Sequence, residues 1–147
     1  MGTISYDKDV ILWSQEQAAL LRAGRFSQLD IEHLADEIED VGKSEKREFA
    51  SRMAILLAHL LKWHYQPERR GRSWRNTIKV QRERIADALE ETPSLKAVMR
   101  EPKWQRVTWD DAKDQALKET GLDVDFGETC PWTLDRVLSH DWMPDAA

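Results

Sequence analysis

Residues 31–65 read IEHLADEIEDVGKSEKREFASRMAILLAHLLKWHY, and the phase of the apolar residues in this stretch decides the fold. Ile31, Leu34, Ile38 and Val41 recur at intervals of three and four, the spacing of one face of an α-helix. Gly42 interrupts the run, yet the phase carries on through Phe49, Met53, Leu56, Leu60 and Trp63. A glycine inside a helix costs about 1 kcal/mol relative to alanine, which an apolar face of this length offsets. The spacing therefore predicts one long helix over 31–65, with Asp30 as a candidate N-cap and Pro67 and Gly71 in the turn that follows.

Working outward, a first helix is predicted over 9–23. Asp7 or Asp9 caps its start and Gly24 takes the left-handed conformation that ends it. Its stripe is Val10, Trp13, Leu20 and Leu21, with Gln17 facing the same way. A third helix over 73–91 uses Trp74, Ile78, Ile85 and Leu89. Thr92-Pro93 is a restart signal, a capping hydroxyl followed by proline at the first helical position. The fourth helical region covers 94–119, interrupted around Pro102 and closed by Gly121, with Leu122 folding back on Leu117. A short helix over 134–139 is capped by Thr133, and no segment alternates as a strand does. The fold class is all-α: an up-down antiparallel helical bundle with one long central helix. An irregular C-terminal tail with Phe126, Trp132 and Trp142 packs across it.

The chain has 147 residues, enough to bury about two-thirds of its unfolded surface. No repeat, low-complexity tract or Pro/Gly-rich linker divides it, so residues 1–147 are read as a single helical domain. The longest apolar runs, such as Met53 to Leu61, fall short of the roughly 20 residues that cross a bilayer. The start, Met-Gly-Thr-Ile-Ser-Tyr-Asp, has neither a signal-peptide pattern nor a myristoylation pattern. A lone cysteine, Cys130, makes no internal disulfide, and the expected location is cytoplasmic. The net charge of −5 argues against a surface wholly given to nucleic acid or anionic membrane. Acids dominate from Asp30 to Glu48, bases from Lys62 to Arg84, and acids again after Trp109.

Several ordered runs together resemble the bacterial domain-of-unknown-function family twenty-nine. They include Leu20-Leu21-Arg22-Ala23-Gly24-Arg25-Phe26, Ser44-Glu45-Lys46-Arg47-Glu48, His59-Leu60-Leu61-Lys62-Trp63-His64-Tyr65-Gln66-Pro67-Glu68-Arg69, Arg72-Ser73-Trp74-Arg75, Glu119-Thr120-Gly121-Leu122 and Cys130-Pro131-Trp132-Thr133. The likeness spans nearly the whole chain. It implies a helical fold and carries no activity with it. Trp109 and Gly127 stand where the resemblance leads one to expect a tyrosine and a proline.

On a wheel of about 100° per residue, Glu45, Arg52 and His59 fall inside the apolar sector of the long helix, with Glu48 at its edge. Charges so placed need partners. Arg72, Arg75, Lys79 and Arg82 form a row on the flank of the third helix, where long side chains reach a neighbour. The structural reading is an interhelical ion-pair network. The catalytic reading takes Glu45, Glu48, Arg52 and His59 as an acid–base or ligand-binding seam. Arg69, Arg72, Arg75, Lys79 and Arg82 also form a candidate anion or partner surface, and the run from Arg69 to Arg84 has the look of a phosphate-contacting helix with Trp74 to stack on bases. The four histidines lack the paired Glu-x-x-His spacing of bundle metal sites, so no metal and no cofactor is expected. Cys130 has no basic activator beside it in sequence and reads poorly as a nucleophile. Of the seven tryptophans, Trp104, Trp132 and Trp142 lie in irregular segments and are candidate interface residues.

These readings converge on a non-enzymatic helical module that binds another protein or itself. The alternatives are a nucleic-acid-associated protein using the basic helix, and an enzyme or small-ligand binder using the seam.

Overall fold

A computed structural model describes residues 4–147, and every described element is helical. The order is α1 (Val10–Arg22), α2 (Ile31–Tyr65), α3 (Arg72–Glu91), α4 (Leu95–Met99), α5 (Pro102–Thr120) and α6 (Leu134–Leu138). Single 3₁₀ turns occupy Phe26–Gln28 and Pro67–Arg69. The protein is all-α around a long central helix, and α2 runs unbroken through Gly42. Among the described residues no helix is long and apolar enough to cross a membrane.

The local signals act where the sequence places them. Asp9 caps α1, its carboxylate accepting from the Leu12 amide at 3.1 Å. Gly24 and Gly121 sit at φ +72° and +68°, the left-handed region that ends α1 and α5. Pro102 opens α5, where its missing N–H costs nothing. Thr133 caps α6 by accepting from the Arg136 amide. The restart at Thr92-Pro93 differs from expectation. Thr92 ends α3 and its hydroxyl makes no capping bond, while α4 begins behind Ser94, also uncapped by its side chain. Leu122 donates its amide to the Thr120 hydroxyl, and Leu117 is exposed.

By its contacts the chain forms two compact units, Met1–Glu45 and Lys46–Ala147. The second holds a large apolar core. Phe49, Met53, Leu56 and Leu60 of α2 cluster with Ile78 and Ile85 of α3, Trp109, Ala112 and Ala116 of α5, and Phe126 and Val137 beyond. Each fully buried large side chain is worth about 1.5–3 kcal/mol, and the small Ala112 and Ala116 let α5 approach closely. Trp104, Trp132 and Trp142, read from sequence as interface residues, pack against this core instead. Trp104 stacks on Phe49 at 5.4 Å between centroids.

The first unit is different. Its buried side chains in α1 are Trp13, Gln17 and Leu20, while Val10 and Leu21, expected in the stripe, are exposed. Nor does this half of α2 bury the stripe that predicted it. Ile31, Ile38 and Val41 are 70%, 71% and 66% exposed, and only Leu34 is half-buried. Within this unit Trp13 and Gln17 of α1 engage Asp30, at the start of α2 and one turn before His33, rather than the isoleucines.

Candidate functional site

The seam expected along α2 does not assemble. Glu45 and Glu48 are exposed. Arg52 pairs with Glu48 at 2.7 Å, one turn away on its own helix. The His59 ring bonds the Ile55 carbonyl at 2.8 Å through Nδ1, and burial lowers its pKa, so it stays neutral. The interhelical network expected with α3 is absent among these residues: Arg52, Glu48 and His59 bond within one turn of α2, and Glu45 faces solvent.

The basic row serves other partners. Among the described residues none of Arg69, Arg72, Arg75, Lys79 and Arg82 makes an ion pair, which corrects the expectation that they pair internally. Arg82 is only 3% exposed and holds the C-terminal segment. Its Nε donates to the Val137 carbonyl at 2.9 Å and its Nη2 to the Trp142 carbonyl at 2.8 Å. Burial lowers the Arg82 pKa, but three donors face carbonyl dipoles, so the charge is retained. Arg75 lies over Trp63 at 5.1 Å, and Arg70 lies over the same ring at 5.0 Å while its Nε donates to the Trp63 carbonyl. Arg69, Arg72 and Lys79 are exposed. Trp74, the candidate base-stacking ring, packs against the core with Lys62 above it at 5.7 Å. Buried Lys62 pairs with Glu119, and burial lowers its pKa.

A polar cluster that the sequence did not disclose lies in the first unit. The Asp30 carboxylate bonds His33 Nδ1 at 2.7 Å and accepts from Trp13 Nε1 at 2.9 Å. The Asp30 amide donates to Gln17 Oε1 at 2.8 Å, which explains a glutamine inside an apolar stripe. Tyr6 stacks on His33 with centroids 4.2 Å apart and donates to Glu37, whose carboxylate pushes the phenol pKa up to about 12. The bond to Asp30 raises the His33 pKa, and the bond to His33 lowers that of Asp30.

The signs set the pH window. The His33 contribution is complete below the ordinary histidine pKa of about 6.5 and is lost as pH rises through its elevated value. The Asp30 contribution is present above the ordinary aspartate pKa and is lost as pH falls through its depressed value. Histidine proton NMR should therefore show His33 titrating above about 6.5, and Asp30→Asn should bring that midpoint down. A wild-type midpoint at or below the ordinary value would remove the pair from the account.

The second unit holds a cleft of about 760 Å³ that is open to solvent. Its wall is aromatic and apolar, with Trp104, Trp109 and Trp132 beside Met53, Leu57 and Met99. Cys130 also lines it, and its thiol is pushed up by burial, so it stays protonated and is a poor nucleophile. Among the described residues no three His, Cys, Asp or Glu side chains gather as metal ligands would.

Trp109 and Gly127, the two positions that depart from the family resemblance, touch each other. Trp109 Nε1 donates to the Gly127 carbonyl at 3.0 Å, Lys113 Nζ to the same oxygen at 2.8 Å, and Gly127 sits at φ +90°. Proline cannot take that angle. No curated protein and no solved structure matches the chain. With its helical fold and the runs quoted above in place, the match of the family described as Domain of unknown function DUF29 to residues 5–143 shows that the chain belongs to that family.

Proposed function

We propose that the protein is a non-enzymatic helical interaction module whose N-terminal unit receives a basic amphipathic helix of another protein. One observation carries this reading: among the described residues, eight of the ten large exposed hydrophobic side chains fall between Val10 and Val41. Scattered apolar residues on a surface are ordinary, but a concentration of this kind marks a contact site. Ile31, Leu34, Ile38 and Val41 keep the helical spacing that a partner helix reads as anchors.

Charge selects the partner. The segment around the stripe is acidic: Glu37 lies at its edge, Glu32, Asp36, Glu39 and Asp40 lie on the other side of α2, and neither lysine nor arginine occurs between Arg25 and Lys43. The acidic segment repels a second copy of itself, whereas a helix carrying lysine or arginine is attracted to it. The setting we propose is the bacterial cytoplasm, supported by the family resemblance and by Cys130 being held as a free thiol.

Fluorescence anisotropy with a labelled 18-residue Leu/Lys amphipathic peptide tests the reading, with a Leu/Glu peptide as control. The lysine peptide is expected to bind with a micromolar Kd that weakens with salt. The Ile38→Asp/Val41→Asp double variant should lose at least about tenfold, the scale of a hot-spot pair. Equal binding by the double variant would sink the site. A wild-type dimer in light scattering that the double variant converts to a monomer would replace the foreign helix with a second copy.

A further inference from the structure

We propose that the N-terminal unit carries a proton-operated latch: protonated His33 holds α1 and the segment before it against the start of α2, and loss of that proton releases them. The contacts of the latch run through one carboxylate. Asp30 Oδ2 meets His33 Nδ1 at 2.7 Å and accepts the Trp13 indole N–H at 2.9 Å. The Asp30 amide holds Gln17, also on α1. Tyr6 stacks on the imidazole at 4.2 Å, only 13° from parallel, and its hydroxyl is tied to Glu37 on α2.

Little else holds α1 in place. Its buried side chains are Trp13, Gln17 and Leu20, and two of those three bond Asp30. An element with so few buried apolar contacts opens locally while the rest of the chain stays folded. The latch contacts are therefore a large share of what keeps it closed.

The charged groups facing His33 are Asp30 and Asp36 on the α2 side and Asp7 in the segment before α1. From α1 itself it meets the neutral Trp13 ring, edge to face. Glu37 and Asp40 act on the adjoining Tyr6. An imidazolium thus lies among carboxylates drawn from both sides of the contact, and over an aromatic face that favours a cation. Neutral imidazole can still donate from Nδ1 to Asp30. Its charge is gone, however, and Asp7 then faces Asp30 and Asp36 without that offset.

The sign follows from these contacts, which raise the His33 pKa in the closed unit. The latch is complete below the ordinary histidine value of about 6.5 and weakens as pH rises through the elevated one. Tyr6, pushed up to about 12, keeps its proton throughout. Opening uncovers Trp13 and Leu20, which are 3% and 7% exposed when latched. The proton thereby sets how much apolar surface this unit shows.

Hydrogen exchange of the full chain, read by NMR from about pH 5.5 to 9 and corrected for intrinsic exchange rates, tests the latch. The α1 amides and the Trp13 indole N–H should lose protection in one step as pH rises, while α3 keeps its protection. The midpoint of that step should coincide with the His33 midpoint from proton NMR. Asp36→Asn, an exposed substitution that leaves the latch bonds in place, should move both midpoints down together. His33→Gln should abolish the step, whether its α1 is held tightly or loosely. Three outcomes overturn the proposal: α1 protection that is absent or constant across the range, a step in Asp36→Asn that does not follow the His33 midpoint, or a step that persists in His33→Gln.

Discussion

Replacing Arg82 with methionine is expected to destabilise the protein by about 3–5 kcal/mol, because two carbonyls lose hydrogen bonds from a charged donor. Methionine fills the volume of the arginine stem, so packing is nearly conserved and the loss is polar. The Val137 and Trp142 carbonyls lose donors at 2.9 and 2.8 Å, and the His140 carbonyl loses a longer contact at 3.5 Å. Each unmet buried acceptor costs about 1–3 kcal/mol. For a chain of this length the melting temperature should drop by roughly 10 °C or more. Lysine at this position should recover only part of the loss, because a single ammonium cannot reproduce the guanidinium fork. Urea denaturation gives the size of the effect, and limited proteolysis gives its place. The region around α6 should become cleavable before the rest. A methionine variant within 1 kcal/mol of wild type would mean that the carbonyls find other donors.

The second large effect belongs to Trp109. Its ring is 1% exposed and its edge meets Trp132 at 6.5 Å. Truncation to alanine should cost about 3–5 kcal/mol, as for other buried aromatic residues. Phenylalanine keeps most of the ring and deletes the N–H aimed at Gly127, where Lys113 still donates, so it should cost only about 1 kcal/mol. The gap between the two variants separates packing from hydrogen bonding. Equal losses would show that the Gly127 bond, not the burial, is what Trp109 supplies. The adjacent Thr108→Val substitution is a control of opposite sign, expected to be neutral or stabilising because it deletes a buried hydroxyl that has no partner.

Much of the local architecture was legible. Periodicity placed the long helix over 31–65 and carried it through Gly42, because a single helical glycine costs only about 1 kcal/mol. Gly121, Pro102 and Thr133 acted as their conformational preferences require. The site candidates fared otherwise. Arg52, Glu48 and His59 satisfy one another or their own backbone within one turn, a choice open to any helical residue and invisible on a wheel. Gln17 was conspicuous as a polar residue in a stripe, but its partner, the Asp30 amide, lies thirteen residues away across a turn. Trp104 was singled out only as an interface residue and Thr108 not at all, since the partners a buried donor lacks are set by the fold.

The all-helical class and most helix ends thus belong to the sequence by itself, because caps, breakers and the 3.6-residue period act over a few neighbouring residues. The unbroken α2 belongs there too. What its stripe faces does not. Ile38 and Leu56 occupy equivalent phases of one helix, yet Ile38 is open to solvent and Leu56 is fully buried. Only the packing of other segments made that difference. Burial is a property of neighbours brought from far along the chain, and so are the carbonyls that claim Arg82, the cleft, and the uncovered stripe from Ile31 to Val41.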